Sequence, residues 1–300
     1  MLQKLKSLLR RAQGAINPRD FFAQYPAELL KSQTDNQVGQ LLLQQHYRQL
    51  AQSPAPALPS FADVGFRQYS QYEEDGILLY LFSLLPPQTR TCLEICAGDG
   101  LECNTTNLII NHGWWGCLFD GDAANVERGR AFFAQHKNTF QLPPTFNCAW
   151  ITAENVNQLI ADAGLRGEID LLSLDLDGVD YWIWRALDVV SPRIVVCEIN
   201  NPIPPDQSLT VPYRADFRES PDAPDFRGAS LAAMVKLGRS KGYRLVGTHR
   251  YGFNAFFIKN GLGEAWFPEV SPAQCARDPY TQLAQRTRWP KVKDHPWVSV

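Results

Sequence analysis

Five apolar runs, each separated from the next by a stretch of helical periodicity, constrain the fold of this chain more than any other feature. The runs are TCLEIC (91–96), GCLFD (116–120), TFNCAW (145–150), IDLLSLD (169–175) and RIVVCEI (193–199). Nearly continuous apolar runs are typical of parallel strands that are buried on both faces. Because helical patterns such as AANVERGRAFFAQH alternate with them, the sequence predicts a parallel sheet with helices on both sides.

Two later runs, YRLVGTH (243–249) and NAFFIKN (254–260), are close enough to form a hairpin. They extend the prediction to an α/β fold with a doubly wound, mostly parallel seven-stranded sheet whose last strand is antiparallel. We expect this sheet to form one domain over residues 61–262. Residues 1–60 are expected to form a helical appendage that ends in the Pro-rich linker SPAPALPS, and residues 263–300 a C-terminal extension.

Net charge and hydropathy argue against nucleic-acid binding and against a transmembrane segment. With 29 Lys and Arg against 31 Asp and Glu, the net charge of −2 gives no general attraction to nucleic acid. The longest apolar stretch, ILLYLFSLL, is shorter than the roughly 20 residues that span a bilayer, so no transmembrane segment is expected.

The 7 cysteines include no C-x-x-C pair and are expected to be reduced thiols. Together with the lack of a continuous apolar segment at the N-terminus, this predicts a cytoplasmic protein.

The first residues, MLQKLKSLLRRAQ (1–13), place leucines on one helical stripe with basic residues around it. Such a helix either packs on its own domain or associates weakly with an anionic membrane surface, and the sequence leaves both alternatives open. A second helix is expected over QVGQLLLQQHYRQLAQ (37–52). Nothing in the sequence predicts an oligomeric state.

The end of the first predicted strand, LEICAGDG, has the features of a loop that admits a nucleotide. Glu94 lies in the strand, and Gly98 and Gly100 let the backbone turn sharply and approach a ligand. Asp120 ends the second strand about 20 residues further on, where a carboxylate can accept both hydroxyls of a ribose. The spacing E-x-C-x-G-x-G is not the G-x-G-x-x-G of dinucleotide sites. The pattern therefore predicts a different adenosine cofactor.

The ordered set of motifs resembles the FkbM-like family of S-adenosylmethionine-dependent methyltransferases, which belongs to the Rossmann-like class. The motifs are YSQYEEDGIL, LEICAGDGLECNTTNLI, GWWGCLFDGD, DLLSLDLDGVDYWIWRAL, VVCEINN, GAS and NAFFIKN. The resemblance covers residues 66–260 and departs from the family pattern at Cys96 and Cys103, where a glycine and a serine are usual. The Cβ and sulfur of Cys96 would lie near the cofactor and could weaken its binding.

This resemblance implies S-adenosylmethionine as the cofactor and O-methylation of a sugar or secondary-metabolite hydroxyl as the activity. The cofactor contacts that it implies are Gln71, Glu94, Gly98, Gly100, Asp120 and Trp150. Trp150 would flank the adenine, but a position in the core suits it equally well. Gln71, Glu74 and Asp75 would close over the methionine end, or else form a helix cap with solvated charges. The alternative function, favoured by Cys96, is a non-catalytic binding or scaffold protein that retains the fold.

The densest acidic segment is SLDLDGVDYW, and the next predicted strand ends in Glu198 and Asn200. Neighbouring parallel strands end at the same edge of a sheet, which is where ligands bind. Asp175, Glu198 and Asn200 therefore form a candidate oxygen-ligand set for Mg²⁺, which would hold substrate oxygens and activate the hydroxyl. Without a metal, Asp175 or Asp177 would act as general base and Glu198 would bind the acceptor. Asp180 is expected to cap the following helix.

Residues 201–228 form a long Pro-rich connection where a short turn would suffice. Loops of this length in compact domains are usually functional lids or disordered segments. The aromatic and basic residues Tyr213, Arg214, Phe217 and Arg218 favour a lid. His249, at the end of the sixth predicted strand, is either a second candidate base or a polar strand terminus.

Overall fold

The structure, a computed structural model, describes residues 36–53 and 57–300. The chain divides into two compact units, Met1–Gln45 and His46–Val300. The second unit contains the sheet and all residues of the candidate site. Within the described ranges, no helix has both the length and the apolar character needed to cross a bilayer.

The second N-terminal helix is present as predicted. Residues 36–45 of the first unit are helical, and so are residues 46–51 of the second. The basic amphipathic stretch 1–13 and residues 54–56 of the linker lie outside the described residues. The expectations for them, including association with a membrane surface, stay predictions.

The second unit is a seven-stranded sheet with flanking helices. Its strands are β1 (Thr91–Ile95), β2 (Trp115–Asp120), β3 (Thr145–Cys148), β4 (Gly167–Leu174), β5 (Val190–Glu198), β7 (Tyr243–Thr248) and β8 (Asn254–Lys259), and a separate pair is formed by β6 (Leu209–Thr210) and β9 (Val298–Ser299). The strand order is β3-β2-β1-β4-β5-β8-β7, and β8 runs antiparallel to both of its neighbours. The prediction of a doubly wound, mostly parallel sheet with an antiparallel last strand is confirmed.

The helices cover both faces of this sheet. They are α1 (Phe61–Val64), α2 (Glu74–Leu84), α3 (Thr106–His112), α4 (Ala123–Gln135), α5 (Val156–Asp162), α6 (Asp180–Ala186), α7 (Leu231–Ser240), α8 (Pro272–Cys275), α9 (Pro279–Thr287) and α10 (Trp289–Val292). Every residue of α2 is buried. The most apolar stretch of the sequence is thus a core helix, which is why it is apolar all round rather than on one face.

One predicted helix is shorter than expected. The segment DYWIWRALDVV divides into α6, which ends at Ala186, and β5, which begins at Val190. The side chain of Asn157 accepts hydrogen bonds from the backbone N–H groups of Asp188 and Val189, at 2.8 and 2.9 Å, and so holds the chain in a turn. This tertiary contact ends the helix, and helical periodicity alone could not reveal it.

The connection, residues 201–228, is fastened to the rest of the unit at several points. The Trp182 indole donates to the carbonyl of Val211 at 2.9 Å. The Tyr213 hydroxyl donates to Glu154 at 2.5 Å. In addition, β6 lies within the connection and pairs with β9. The connection is therefore an ordered layer over the carboxyl edge of the sheet.

Candidate functional site

Polar residues at the carboxyl ends of β1, β4 and β5 share one face of the sheet. Glu94 pairs with Ser173 across β1 and β4, and Ser173 pairs in turn with Val196 of β5. Because side chains alternate between the faces of a strand, residues two positions further on, Asp175 and Glu198, face the same side as Glu94. Strand alternation alone therefore gathers the predicted carboxylates at one edge.

These side chains line a cavity of about 870 Å³, a size suited to a small-molecule cofactor and substrate. The predicted residues that line it are Gln71, Glu94, Gly98, Asp120, Trp150, Asp175, Asp177 and Glu198. Gly100 and Asn200 are not among its lining residues. The structure thus brings all but two of the predicted cofactor, catalytic and metal-binding residues together.

Glu94 is buried and organises the loop that follows β1. Its carboxylate accepts hydrogen bonds from the backbone N–H groups of Asn104 and Thr105, both at 2.9 Å. The hydroxyls of Thr105 and Ser173 also donate to it, at 2.6 and 3.1 Å. Burial and the nearby Glu94 raise the pKa of Cys103, so its thiol stays protonated and donates at 2.7 Å. These contacts favour the role of orienting the loop over direct contact with a ligand.

Three residues of this loop have left-handed backbone conformations. The φ angles of Cys96, Gly98 and Gly100 are 64°, 56° and 75°. Glycine adopts this region freely, whereas a residue with a Cβ loses roughly 1–2 kcal/mol. At Gly100 a Cβ would also lie 2.7 Å from the ring of Phe133, which explains a glycine there without a ligand. Cys96 therefore occupies a position whose conformation favours glycine.

Asp120 faces the cavity from the end of β2. Its Oδ2 accepts from the backbone N–H of Gly98 at 2.9 Å, so the carboxylate also fixes the β1 loop. Its Oδ1 accepts from the N–H of Asp122 at 2.8 Å and from the side-chain amide of Asn125 at 3.1 Å. A carboxylate has about four acceptor positions. One position therefore remains for a ligand hydroxyl, and a second becomes available if Asn125 turns away.

Trp150 forms part of the cavity wall. Its side chain is 44% exposed, so the alternative of a core position does not hold. The guanidinium of Arg218 lies over the ring, 4.0 Å from its centroid. A smaller cavity of about 40 Å³ is lined by Trp150, Leu176, Val179 and, from the connection, Phe217. A flat ring would fit between these residues only if the connection adjusted.

The segment before β1 is arranged differently from the prediction. Gln71 lines the cavity but precedes α2, which begins at Glu74. Glu74 and Asp75 are buried rather than solvated. Glu74 accepts from the amide of Asn254 at 2.8 Å, whereas Asp75 accepts from the N–H of Tyr69 at 2.6 Å and leaves its Oδ1 without a partner. Both carboxyls therefore hold the cavity wall in place from behind.

Three carboxylates from the ends of β4 and β5 meet in the cavity lining. Asp175, Asp177 and Glu198 each have an oxygen within 4.8 Å of the others. Arg227 of the connection bonds to Glu198 at 2.9 Å and to Asp177. Burial and the neighbouring carboxylates raise the pKa of Asp175 and of Glu198, although Arg227 opposes the effect. Asp180 is buried behind this group and accepts from the N–H of Leu176 and Gly178 in the loop that precedes α6.

The predicted ligand set of Asp175, Glu198 and Asn200 is not assembled as expected. The amide of Asn200 donates to the carbonyls of Asp225 and Arg227, at 2.8 and 2.6 Å. Asn200 therefore holds the connection in place, and the positive charge beside Glu198 is a guanidinium. Sequence spacing placed Asn200 at the correct sheet edge, but it could not show that the returning connection would engage its amide.

Sequence reasoning missed several residues that line this cavity, among them Tyr72, Glu102, Arg227, Phe253 and Asn254. Arg227 immediately precedes the GAS motif, which was the available signal for it. His249 is completely buried, 3.4 Å from Glu74, and is not a lining residue. Its ring is stacked behind Tyr72, so it does not reach the cavity as a base.

Solved methyltransferase structures are similar to this chain at low identity. Magnesium protoporphyrin IX methyltransferase (ChlM) from Synechocystis PCC 6803, solved with bound SAM, is 14% identical, with 62% of this chain and 78% of that chain covered and a TM-score of 0.38. The N-terminal domain of EvdMO1, solved with SAH bound, is 14% identical, with 72% and 93% covered and a TM-score of 0.41. The mitomycin 7-O-methyltransferase MmcR is 13% identical, with 56% and 48% covered and a TM-score of 0.34. No protein-family model matches the sequence, and neither does any curated protein.

Proposed function

We propose that this protein transfers a methyl group from S-adenosylmethionine to a hydroxyl oxygen of a saccharide or secondary metabolite. One observation supports the proposal above all: the β1 loop, Asp120 and the Asp175–Glu198 pair border a single cavity. Cofactor and acceptor would therefore meet inside the same enclosure. The resemblance to the FkbM-like family stays a prediction.

The proposed cofactor position follows from the polar groups in the cavity lining. Asp120 would accept a ribose hydroxyl, because it lines the cavity and retains one acceptor position. The left-handed turn at Gly98 lets the cofactor approach the backbone. Trp150 would flank the adenine after a shift of Arg218, which now covers its ring. The sulfonium methyl would then point toward Asp175 and Glu198.

The proposed reaction is an in-line displacement. The acceptor oxygen forms a bond to the methyl carbon, the bond between that carbon and sulfur breaks with its electron pair going to sulfur, and S-adenosylhomocysteine leaves. A carboxylate of the Asp175, Asp177 and Glu198 group takes the hydroxyl proton. Holding both reactants in line supplies much of the rate enhancement, because the protein removes their freedom to misalign.

A polyhydroxylated acceptor suits the acceptor end of the cavity. Asp175, Asp177 and Glu198 offer hydrogen-bond acceptors, which match a ligand rich in hydroxyl donors. Tyr72 and Phe253 line the same cavity and are stacked with ring centroids 5.0 Å apart. Aromatic faces of this kind provide an apolar surface beside polar groups, as a sugar ring requires.

Calorimetric titration with S-adenosylmethionine and S-adenosylhomocysteine tests the proposal directly. We expect saturable binding of both, weakened in Asp120→Ala, and S-adenosylhomocysteine formation with at least one member of a panel of monosaccharides and phenols. Asp216→Ala, a change of an exposed carboxylate on the connection, serves as the control. A folded protein that binds neither compound contradicts the proposal.

The second candidate function is a non-catalytic binding or scaffold protein, and the left-handed conformation of Cys96 favours it. A side chain at this position stands where the β1 loop would approach a cofactor. The two candidates differ in one measurement. Cofactor binding that persists without methyl transfer to any acceptor in the panel supports the binding protein, and transfer supports the enzyme.

A further inference from the structure

Arg227 belongs to the connection, and its guanidinium lies beside the three carboxylates. Its Nη2 donates to Glu198 at 2.9 Å, and its Nη1 donates to Asp177 and, at 3.3 Å, to Glu219. Its side chain is only 24% exposed, so the charge interactions are partly shielded from water. One guanidinium therefore engages two of the three carboxylates at the acceptor end.

The backbone on both sides of Arg227 is fixed, so the guanidinium is presented at a defined place. Asn200 donates to the carbonyl of Arg227 at 2.6 Å and to that of Asp225 at 2.8 Å. The N–H of Val211 donates to the carbonyl of Gly228 at 3.1 Å. Arg288 pairs with Asp225 from the C-terminal helices. Backbone anchoring of this kind reduces the freedom that a long side chain loses on forming an ion pair.

Asp175 is different from its two neighbours. In the described part of the chain, no side-chain or backbone donor makes a hydrogen bond to its carboxylate, although it lines the cavity. The charged and titratable groups around it are Glu94, Cys96, Asp177, Asp180, Glu198 and Arg227. All but one of these are acidic, so the surroundings of Asp175 stabilise its protonated form. Because Asp175 lines the cavity and has no such hydrogen-bond donor among the described residues, it is the carboxylate of the three that stays open to an acceptor hydroxyl.

From these contacts we propose that Arg227 pairs with Asp177 and Glu198, and so leaves Asp175 as the one of the three carboxylates that takes the acceptor's proton. Arg227 is then a positioning residue, and the contacts that it makes from the connection set which carboxylate is the base. This inference rests on the proposed function, because it assigns roles within that reaction. Glu198, held by Arg227, binds the acceptor instead of deprotonating it.

The test follows the carboxyl carbons by NMR in protein labelled with carbon-13 in Asp and Glu side chains. Signals are assigned with Asp175→Asn and Glu198→Gln, and each is titrated with pH in the presence of S-adenosylhomocysteine as the probe. Arg227→Gln should raise the titration midpoints of Asp175 and Glu198 by about 1 pH unit, because it removes the nearby cation. Arg227→Lys keeps the charge and should restore most of the wild-type midpoints.

Arg214→Gln is the matched control, since Arg214 is an exposed arginine of the same connection that pairs with Asp216. It changes the net charge equally and should leave both midpoints in place. The proposal is overturned if Asp175 titrates in the ordinary range, if Arg227→Gln moves neither midpoint, or if Arg214→Gln moves them equally. The NMR titration is also recorded without S-adenosylhomocysteine, so it tests the role of Arg227 even if no cofactor binds. Calorimetry with S-adenosylhomocysteine tests the proposed function separately.

Discussion

Trp150 donates its indole N–H to the backbone carbonyl of Ala215 at 2.7 Å, and this bond joins the end of β3 to the connection. Arg218, three residues further along, covers the same ring. One wall of the cavity is therefore built jointly by the sheet and by the connection. Movement of the connection and binding at Trp150 cannot be independent of each other.

Phe217→Ala should loosen the connection. The Phe217 ring packs so closely on Gly178 that a Cβ at that glycine would lie 2.1 Å from it, and its loss removes this anchor. We expect faster amide exchange in the connection and faster release of S-adenosylhomocysteine, measured by exchange mass spectrometry and stopped-flow tryptophan fluorescence. In the wild-type protein, exchange should slow when cofactor and acceptor are both bound.

Phe140→Ala removes a ring of the same size that is 56% exposed and lies outside the cavity lining, so it should change neither rate. Equal exchange in Phe217→Ala and wild type would show that the ring does not anchor the connection. Slow exchange in the free wild-type protein, unchanged by ligands, would make the connection a structural loop.

Asp120→Ala should weaken S-adenosylmethionine binding by roughly 1–3 kcal/mol, the loss expected when hydroxyls are left without a charged acceptor. Asp120→Asn should lose less, because its amide oxygen can still accept from Gly98. Calorimetry measures both affinities, and circular dichroism checks that each variant is folded. Unchanged affinity in a folded Asp120→Ala protein would remove Asp120 from the cofactor site.

Cys96→Gly should be neutral or stabilising by up to about 1 kcal/mol, because glycine adopts the left-handed conformation without strain. It should also tighten cofactor binding if the Cys96 side chain obstructs the cofactor. Ala97→Gly, one position further on and without a left-handed backbone, is the matched comparison and should destabilise. Urea unfolding measures the two effects, and equal destabilisation by both changes would refute strain at Cys96.

Asp75 gives the stability a specific pH dependence. Burial raises the pKa of Asp75 to about 6, despite hydrogen bonds from Ser70, Tyr69 and Gln68 that lower it. Its pKa in the unfolded chain is about 3.9, so the folded state binds more protons between these two values. The stability that Asp75 provides is therefore present below about pH 4 and is lost as the pH rises to about 6.

Asp75→Asn cannot ionise and should show none of this loss. The unfolding free energy of Asp75→Asn, relative to wild type, should rise between about pH 4 and 6 and then level off, as measured by urea unfolding. The exposed Asp162→Asn is the control and should show no such rise. A relative stability of Asp75→Asn that is flat or falls across the window would mean that burial does not dominate at Asp75.

The magnesium hypothesis yields a fifth prediction. Because Arg227 already bonds to Asp177 and Glu198, we expect cofactor binding and methyl transfer to persist in excess chelator. Arg227→Ala should expose the three carboxylates and allow Mg²⁺ to bind, since hard oxygen ligands suit this ion. Loss of wild-type activity in chelator with recovery on adding Mg²⁺ would restore the metal role of Asp175 and Glu198.

The sheet could be predicted because its determinants are local. Each strand is a short apolar run, and alternation within it fixes which face Glu94 and Glu198 occupy. The positions of Asp175 and Asp120 at strand ends follow from the same pattern. Strand order and direction are therefore enough to predict that these residues line the cavity, as they do.

Long-range contacts of the connection could not be predicted. Asn200 had the right chemistry and position for a metal ligand, yet its amide is held by carbonyls more than twenty residues away in sequence. Arg227 immediately precedes the GAS motif, but nothing in that motif shows that the arginine would reach Asp177 and Glu198. The sequence did not decide between a core position and a cofactor contact for Trp150, because the exposure of its side chain depends on which distant segment covers it.

The alternation of side chains along β5 also limits how the site can change over generations. Inserting one residue before Glu198 within the strand would turn its carboxylate to the opposite face, away from Arg227 and the cavity. Added or deleted residues in the connection between Pro212 and Pro224 would leave the strand pairing intact. Natural or laboratory variation in acceptor preference should therefore accumulate as length changes in the connection, while the sheet edge varies only by substitution.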